Sequence, residues 1–439
     1  MQNTSRHVVH LGFAEQHLDS IEFGDHQVSL LVHRHVVEQM SPAARQRFVR
    51  IGVLDVPHTL DFEDYDRALD QMIPLVEDFA AELGPPVAVV AMYEHVTLPA
   101  ARLREHFGIP GVGVETAVLC RDKVRMKEAM RGSGVRVPAF WAVGAATPYA
   151  DLERIAAAVP GGIVLKPQRQ AGSFGIRVFR DAAEFLTYAQ AHGIPDDHEV
   201  EEFVAGEVCH VDGVVRDGQI RFISASRYIG DCFNFRTGTE HLSSVTFDDA
   251  ATLARITDFT ALVLKSLRLH TSTFHLELFL TPDDELIFLE VANRFGGAYI
   301  GEAIRAVYGV DLVRESVLAC MGLPSEVGTV TDILGYAEVG ASGWLYPALP
   351  EIRPCVVKRI RGLDTCPDSV VLSEIPNIGQ TLNDDITAFP SAGRFVLAGA
   401  STAEVERDIR HLAATYALET CPPATWSRDC AVPPGPPGC

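Results

Sequence analysis

Strand-like and helix-like pieces alternate through the first 119 residues, and no other feature constrains the fold of this chain as strongly. The strand-like runs lie at 7–12, 28–32, 50–56 and 87–91. Between the last two, residues 64–83 place Ala68, Leu69, Met72, Leu75, Val76, Phe79 and Ala80 at helical spacing, with Pro74 as a candidate kink. Such alternation predicts a small, mostly parallel, open α/β sheet. No Gly-x-Gly-x-x-Gly follows the first strand, so a dinucleotide fingerprint is absent. At 439 residues the chain exceeds one compact core, and two or three domains or subdomains are expected.

Further along, Asp122 can cap a helix that ends near Gly132 or Gly134, with Pro138 beyond it. Residues 161–167 read as a buried strand stopped by Pro167. A hairpin is predicted around Asp217-Gly218, joining 207–215 to 219–225. A second joins 271–280 to 285–292 through Thr281-Pro-Asp-Asp284. After Gly322 the chain turns Pro-rich with short β-like runs, 402–417 reads as a last helix, and 421–439 is a Pro/Gly-rich tail unable to bury a core.

Composition removes several classes of function. No apolar run approaches the ~18 residues of a membrane span, and no apolar segment follows the N-terminus, so neither a membrane nor a secretory signal is expected and the predicted location is cytoplasmic. The nine cysteines form no Cys-x-x-Cys, which suggests neither a disulfide framework nor a zinc ribbon. With 37 Lys+Arg against 58 Asp+Glu, the net charge of −21 repels nucleic acid. A site for an anionic ligand must then be built locally.

The second hairpin carries the clearest chemistry. If Leu280 pairs with Glu285, Glu277 lies opposite Phe288 and diagonal to Glu290 on one face, ~7–8 Å apart, within reach of shared hard cations. Read alone, two solvated carboxylates are equally good. Arg294 follows four residues after Glu290, and Gly296-Gly297 frees the backbone beyond. Lys166 closes a buried-looking strand, where a lysine is costly unless its ammonium meets an anion, and it precedes a loop with Gly172, Ser173 and Gly175 that can close over phosphate. This is not a Walker loop, since the lysine comes first. Lys123 starts a helix. The 200–207 junction can offer backbone groups to an adenine and a carboxylate to a ribose, while His210 and Asp212 share one strand face. Finally, residues 226–236 mix Arg227 and Arg236 with Tyr228, Phe233 and Phe235, a composition suited to a substrate carboxylate and a side-chain pocket.

Taken in order, the Lys123 helix start, Lys166 with its Gly-Ser loop, Glu201-Glu202-x-Val204, His210-x-Asp212, the Glu277/Glu290 hairpin and Arg294 resemble the ATP-grasp superfamily over roughly residues 85–325. Arg121-Asp-Lys123…Gly134-Val-x-Val-Pro138 looks like that family's opening segment, and Phe107-Gly-Ile-Pro-Gly111 like the end of its preceding domain. The resemblance implies an α/β (α+β) ATP-grasp fold. It would have a Rossmann-like pre-ATP-grasp domain at 1–119, an ATP-grasp domain at 120–325 (small subdomain 120–205, large 206–325), a β-rich lid at 326–420 and a flexible tail at 421–439.

It further implies ATP and two Mg²⁺ as cofactors, with Mn²⁺ able to substitute. Lys123 and Lys166 would bind phosphates, Gly172, Ser173 and Gly175 would form the lid loop, and Glu201, Glu202 and Val204 would meet adenine. Glu207 or His210 would reach the ribose, Glu277 and Glu290 the metals, and Arg294, with Lys166, the transferred phosphoryl and acyl groups. Where many members carry Asn as third metal ligand this chain has Ala292, leaving Asn293 as the candidate. His210-Val-Asp-Gly213 and 288–297 are most similar to bacterial amino-acid ligases and related carboxylate–amine ligases, which join a carboxylate to an amine through an acyl phosphate with release of ADP and phosphate. The implied partners are small carboxylates and amines, with a homodimer allowed. The alternatives are a bicarbonate or formate ligase of the biotin carboxylase and transformylase group, and a nucleotide-binding protein without turnover.

Overall fold

The computed structural model describes residues 6–57, 63–159, 161–230, 235, 240–328, 339–383 and 391–426. Strands β1 (Arg6–Leu11), β2 (His26–His33), β3 (Arg50–Leu54) and β4 (Ala88–Ala91) form a parallel sheet in the order β3-β2-β1-β4. One face packs Val9, Leu11, Leu31 and Val89 against the helices Leu69–Leu83 and Glu94–Phe107 through Met72, Val76, Phe79, Val96, Ala100 and Leu103. The helical stretch predicted at 64–83 is two helices, Glu63–Arg67 and Leu69–Leu83. The interruption falls at Ala68, and Pro74 sits inside the second helix. Strand order reverses at β1, so the residues after β4 open into the crevice where α/β sheets take ligands.

A second, antiparallel sheet has the order β5-β8-β6-β7, from β5 (Phe140–Val143), β6 (Ile163–Pro167), β7 (Arg177–Phe179) and β8 (His198–Glu202). The third sheet has eight strands. It contains β9 (Glu207–Arg216), β10 (Gln219–Ile229), β11 (Leu242–Thr246), β12 (Ser272–Leu280), β13 (Leu286–Ala292) and β14 (Ala341–Tyr346). Downstream lie β15 (Cys355–Arg361), β16 (Val370–Glu374), β17 (Thr381–Leu382), β18 (Arg394–Gly399) and β19 (Ala417–Cys421). The large sheet runs β13-β12-β9-β10-β11-β14-β18-β16, while β17-β15-β19 make a small sheet of their own. Strands from the C-terminal third thus extend the sheet that begins at Glu207.

Local chemistry explains the joints. Asp217 (φ +52°) and Gly218 (φ +74°) both occupy the left-handed region, as the tight turn between β9 and β10 demands. Asp122 accepts from the Arg125 amide and caps the helix Lys123–Ala129. Ser401 caps the last helix, Thr402–Thr415. Against the expectation of no disulfide framework, Cys366 is disulfide-bonded, whereas Cys120, Cys209, Cys320, Cys355 and Cys421 are free thiols. Among the described residues no helix is long and apolar enough to cross a membrane.

Candidate active site

A cavity of about 520 Å³ lies between the β5–β8 sheet and the large sheet. Along β12 its face reads Phe279, Glu277, His275, the period-two alternation of a strand, while Phe274, Leu276 and Leu278 turn the other way into the core. Val164, Ile176, Val178, Phe203, Val204 and Leu289 line it with apolar surface, and Lys123, Lys166, Glu290 and Arg294 with charge.

The two carboxylates stand closer than the sequence predicts. The turn closes with the Thr281 amide donating to the Glu285 carbonyl at 3.0 Å and with Asp284 at φ +64°, so Leu280 pairs with Leu286 rather than Glu285. A bulge then leaves Leu289 without a counterpart, because Leu278 pairs with Phe288 while Glu277 pairs with Glu290. Glu277 and Glu290 are therefore directly opposed, where Cβ atoms are about 4.5–5.5 Å apart. Hard oxygen donors so placed fit a divalent cation. Lys123 Nζ lies 3.1 Å from Glu290, and the Tyr228 hydroxyl donates to Glu277 at 3.0 Å. Burial would raise the Glu290 carboxyl, but Lys123 and Lys166 hold it below the usual range.

Asn293 is not beside them. Three residues beyond Glu290 it has turned to the opposite side, where it lines a separate small cavity with Arg104 and Cys320, and the third-ligand expectation is corrected accordingly. His275 instead lies across from Ala292, with Nε2 3.6 Å from Glu277 and Nδ1 2.9 Å from Asp212. Burial opposes its charge, but Asp212 and Glu277 push its pKa up to about 10. His210 does not reach the cavity and cannot serve a ribose. It is 2% exposed, and its ring nitrogens are spent on Asp212 at 2.7 Å and Ser244 at 2.9 Å. Glu207 is exposed on the rim.

Lys166 is buried, with Nζ 2.7 Å from Glu201 and 3.7 Å from Glu199. The Glu201 carboxylate thus faces the lysines, and Glu202 is occupied by Arg136 and the Ala139 amide, both at 3.1 Å, which leaves the backbone of this junction as the group able to meet an adenine. Of the predicted linker, Phe203 and Val204 supply apolar lining. The loop carrying Gly172 (φ +63°), Ser173 (φ +58°) and Gly175 (φ +72°) borders the cavity, with three left-handed residues in four. Arg294 lines it too and is held by Glu94, which accepts from Nε at 2.7 Å immediately after β4.

Of the predicted substrate residues, Tyr228 and Phe235 line the cavity beside Trp344 and Ile300. Arg227 does not. Residues 226–229 continue strand β10, and alternation sends Arg227 to the other face, where it pairs with Glu406 of the last helix. Phe233 and Arg236 lie outside the described residues. Sequence reasoning missed Glu94, His275, Asp212 as the anchor of His275, Lys127 and Glu199. For His275 a signal existed, since it stands two residues before Glu277 on a predicted strand.

No family model matches the chain. The architecture is the ATP-grasp fold that the motif order implies, and superposition on an L-amino acid ligase from Bacillus licheniformis gives a TM-score of 0.70 at 17% identity, covering 94% of this chain and 98% of that one. Within that fold the sequence likeness is to amino-acid ligases. The chain is 25% identical to the L-arginine-specific L-amino acid ligase of Bacillus subtilis over 243 residues, which are 54% of this chain and 58% of that enzyme, less than two thirds of its length. It is 24% identical to alanine–anticapsin ligase of Bacillus subtilis over 443 residues, covering 88% and 90% of the two chains.

Proposed function

We propose that the protein is an ATP-dependent carboxylate–amine ligase that joins a small carboxylate or amino acid to an amine through an acyl phosphate, releasing ADP and phosphate. The observation that carries this reading is the direct opposition of Glu277 and Glu290 in one cavity with Lys123, Lys166 and Arg294. Apolar side chains Val164, Val178, Phe203 and Phe279 suit the faces of a purine, and the 172–175 loop suits phosphate oxygens. Glu277 and Glu290 would hold Mg²⁺, which when bound neutralises phosphate charge. Lys123 and Lys166 draw negative charge off the transferred phosphoryl group, and Arg294, fixed by Glu94, faces the acyl oxygen. No side-chain nucleophile is required. The substrate side chain lies against Tyr228, Phe235 and Trp344. In this reading residues 1–119 present Glu94, 120–325 bind nucleotide, and 326–420 complete the substrate end; the setting is cytoplasmic.

The test is turnover of pooled amino acids with ATP and Mg²⁺ or Mn²⁺, with nucleotide products resolved and new amides read by mass spectrometry. ADP, phosphate and a dipeptide mass are expected. AMP with pyrophosphate, or turnover that requires bicarbonate, would overturn the proposal.

A further inference from the structure

Behind Lys166 the protein buries a second lysine that never reaches the cavity. Lys127 is 0% exposed, one turn after Lys123 on the same helix. Its Nζ donates to both Glu199 oxygens at 2.8 Å and to the Lys123 carbonyl at 3.1 Å, pairs with Glu201, and lies 5.2 Å from the Phe140 ring centre. Glu199 and Glu201 are two residues apart on β8 and point to one side, so two buried carboxylates share two ammonium groups. Of these four groups Lys166 and Glu201 border the cavity, and of the two cations only Lys166 does.

We propose that Lys127 is a positioning residue that offsets half the charge of the Glu199–Glu201 pair so that Lys166 can leave it for nucleotide phosphates. This rests on the ligase reading given above. With Lys127 present, two cations face two carboxylates, and when Lys166 turns toward phosphate one cation stays behind, so one carboxylate and not two is left without a counter-ion. Without Lys127, Lys166 is the sole counter-ion of two buried carboxylates at 2.7 and 3.7 Å, and its departure would leave both bare, a state that buried charges strongly disfavour. The bonds from Lys127 to Glu199 also tie the helix bearing the other phosphate lysine to β8.

The consequence separates this role from ordinary support of the fold. Removing Lys127 traps Lys166, whereas removing the charge of Glu199 loosens it, so the two changes move nucleotide affinity in opposite directions. Calorimetric binding of Mg·ADP, with adenosine as a probe that lacks phosphate, reads this without turnover. Lys127→Met is expected to raise the Mg·ADP Kd about tenfold and leave adenosine unchanged; Glu199→Gln is expected to lower the Mg·ADP Kd about threefold. The double variant Lys127→Met/Glu199→Met, which keeps one Lys166–Glu201 pair and packs two apolar chains behind it, should return to within about threefold of wild type. If Lys127→Met alone fails to fold, the other two variants decide. Weakened binding in Glu199→Gln, or three unchanged affinities in folded proteins, would overturn the proposal while the wild type still binds Mg·ADP. A wild type that binds no Mg·ADP would instead overturn the ligase reading and this role with it.

Discussion

Gly296 and Gly301 lie five residues apart, and alanine at each should act with opposite sign. A Cβ on Gly296 would sit 2.3 Å from Asp212 Oδ1, 2.8 Å from Ile300 Cδ1 and 3.0 Å from His275 Nδ1. Asp212 cannot retreat freely, because its two oxygens are engaged by His210 at 2.7 Å and His275 at 2.9 Å. Relief of the overlap therefore strains the packing, at about 1–3 kcal/mol, and weakens a charge-assisted hydrogen bond worth about 1.5–3 kcal/mol, together roughly 3–6 kcal/mol. Gly301, inside the helix Ile300–Tyr308, has no atom within 4 Å of the added methyl, so alanine there should stabilise by about 0.5–1 kcal/mol through helix propensity. Urea unfolding followed by tryptophan fluorescence is a suitable assay, since Trp344 is fully buried in the same core cluster as Ile300. Gly296→Ala with wild-type stability, or a destabilised Gly301→Ala, would refute the steric account of this strand end.

Glu290→Gln preserves shape but removes a charge facing Glu277. It should lower turnover by more than roughly 100-fold, the upper end of what losing a supporting partner of a metal ligand costs, with an unchanged circular dichroism spectrum; near-wild-type rates at ordinary Mg²⁺ would mean the carboxylates are only solvated. Arg227→Ala should leave every KM unchanged and cost about 1 kcal/mol of stability through its partly exposed pair with Glu406, and an amino-acid KM raised far above wild type would restore Arg227 to the substrate site. Burial pushes His10 from 6.5 down to about 3. The unfolded chain therefore takes up a proton below pH 6.5 that the folded chain refuses, and stability is fully present above 6.5 and lost as pH falls, by roughly 2 kcal/mol between pH 6.5 and 5 from this group. His10→Leu should flatten that limb in urea titrations, and an identical slope would refute it.

What could be read from sequence was what depends on local pattern. Period-two and period-3.6 spacing located β1 to β4, the Lys123 helix and both hairpins, because each is decided by residues within a few positions of one another. The expected pairing differs from the observed register by one residue between the turn and the bulge and by two beyond it, and no pattern in the sequence marks Leu289 as the extra residue. Arg227 was misplaced for a related reason. Its segment reads as a loop, but pairing with β11 extends β10 to Ile229, and a strand sends alternate side chains to opposite faces. Glu94, Lys127 and Glu199 escaped because their meaning lies in contacts across 200 residues in one case and 72 in the other.

On the ligase reading, this acid-rich chain must keep cations available to a polyanion without leaving them bare, and the site does so by pairing. Lys123 is held by Glu290, Lys166 by Glu201, and Arg294 by Glu94, so each of these three cations bordering the cavity meets a carboxylate. On the ligase reading, binding is then an exchange of partners. Lys123 yields Glu290 to the incoming divalent cation and turns to phosphate, while Lys166 yields Glu201 to Lys127. The first step exposes no uncompensated buried charge, and the second leaves one carboxylate short of a counter-ion where without Lys127 it would leave two, so Lys127 lowers the cost of charge in a low-dielectric interior. On that reading the carboxylates that pair with these cations are also the groups that would meet the metal and steady the lysines. The net charge of −21 poses no obstacle, because the attraction is generated within a few ångströms of the phosphates, inside the distance over which salt screens the acidic surface.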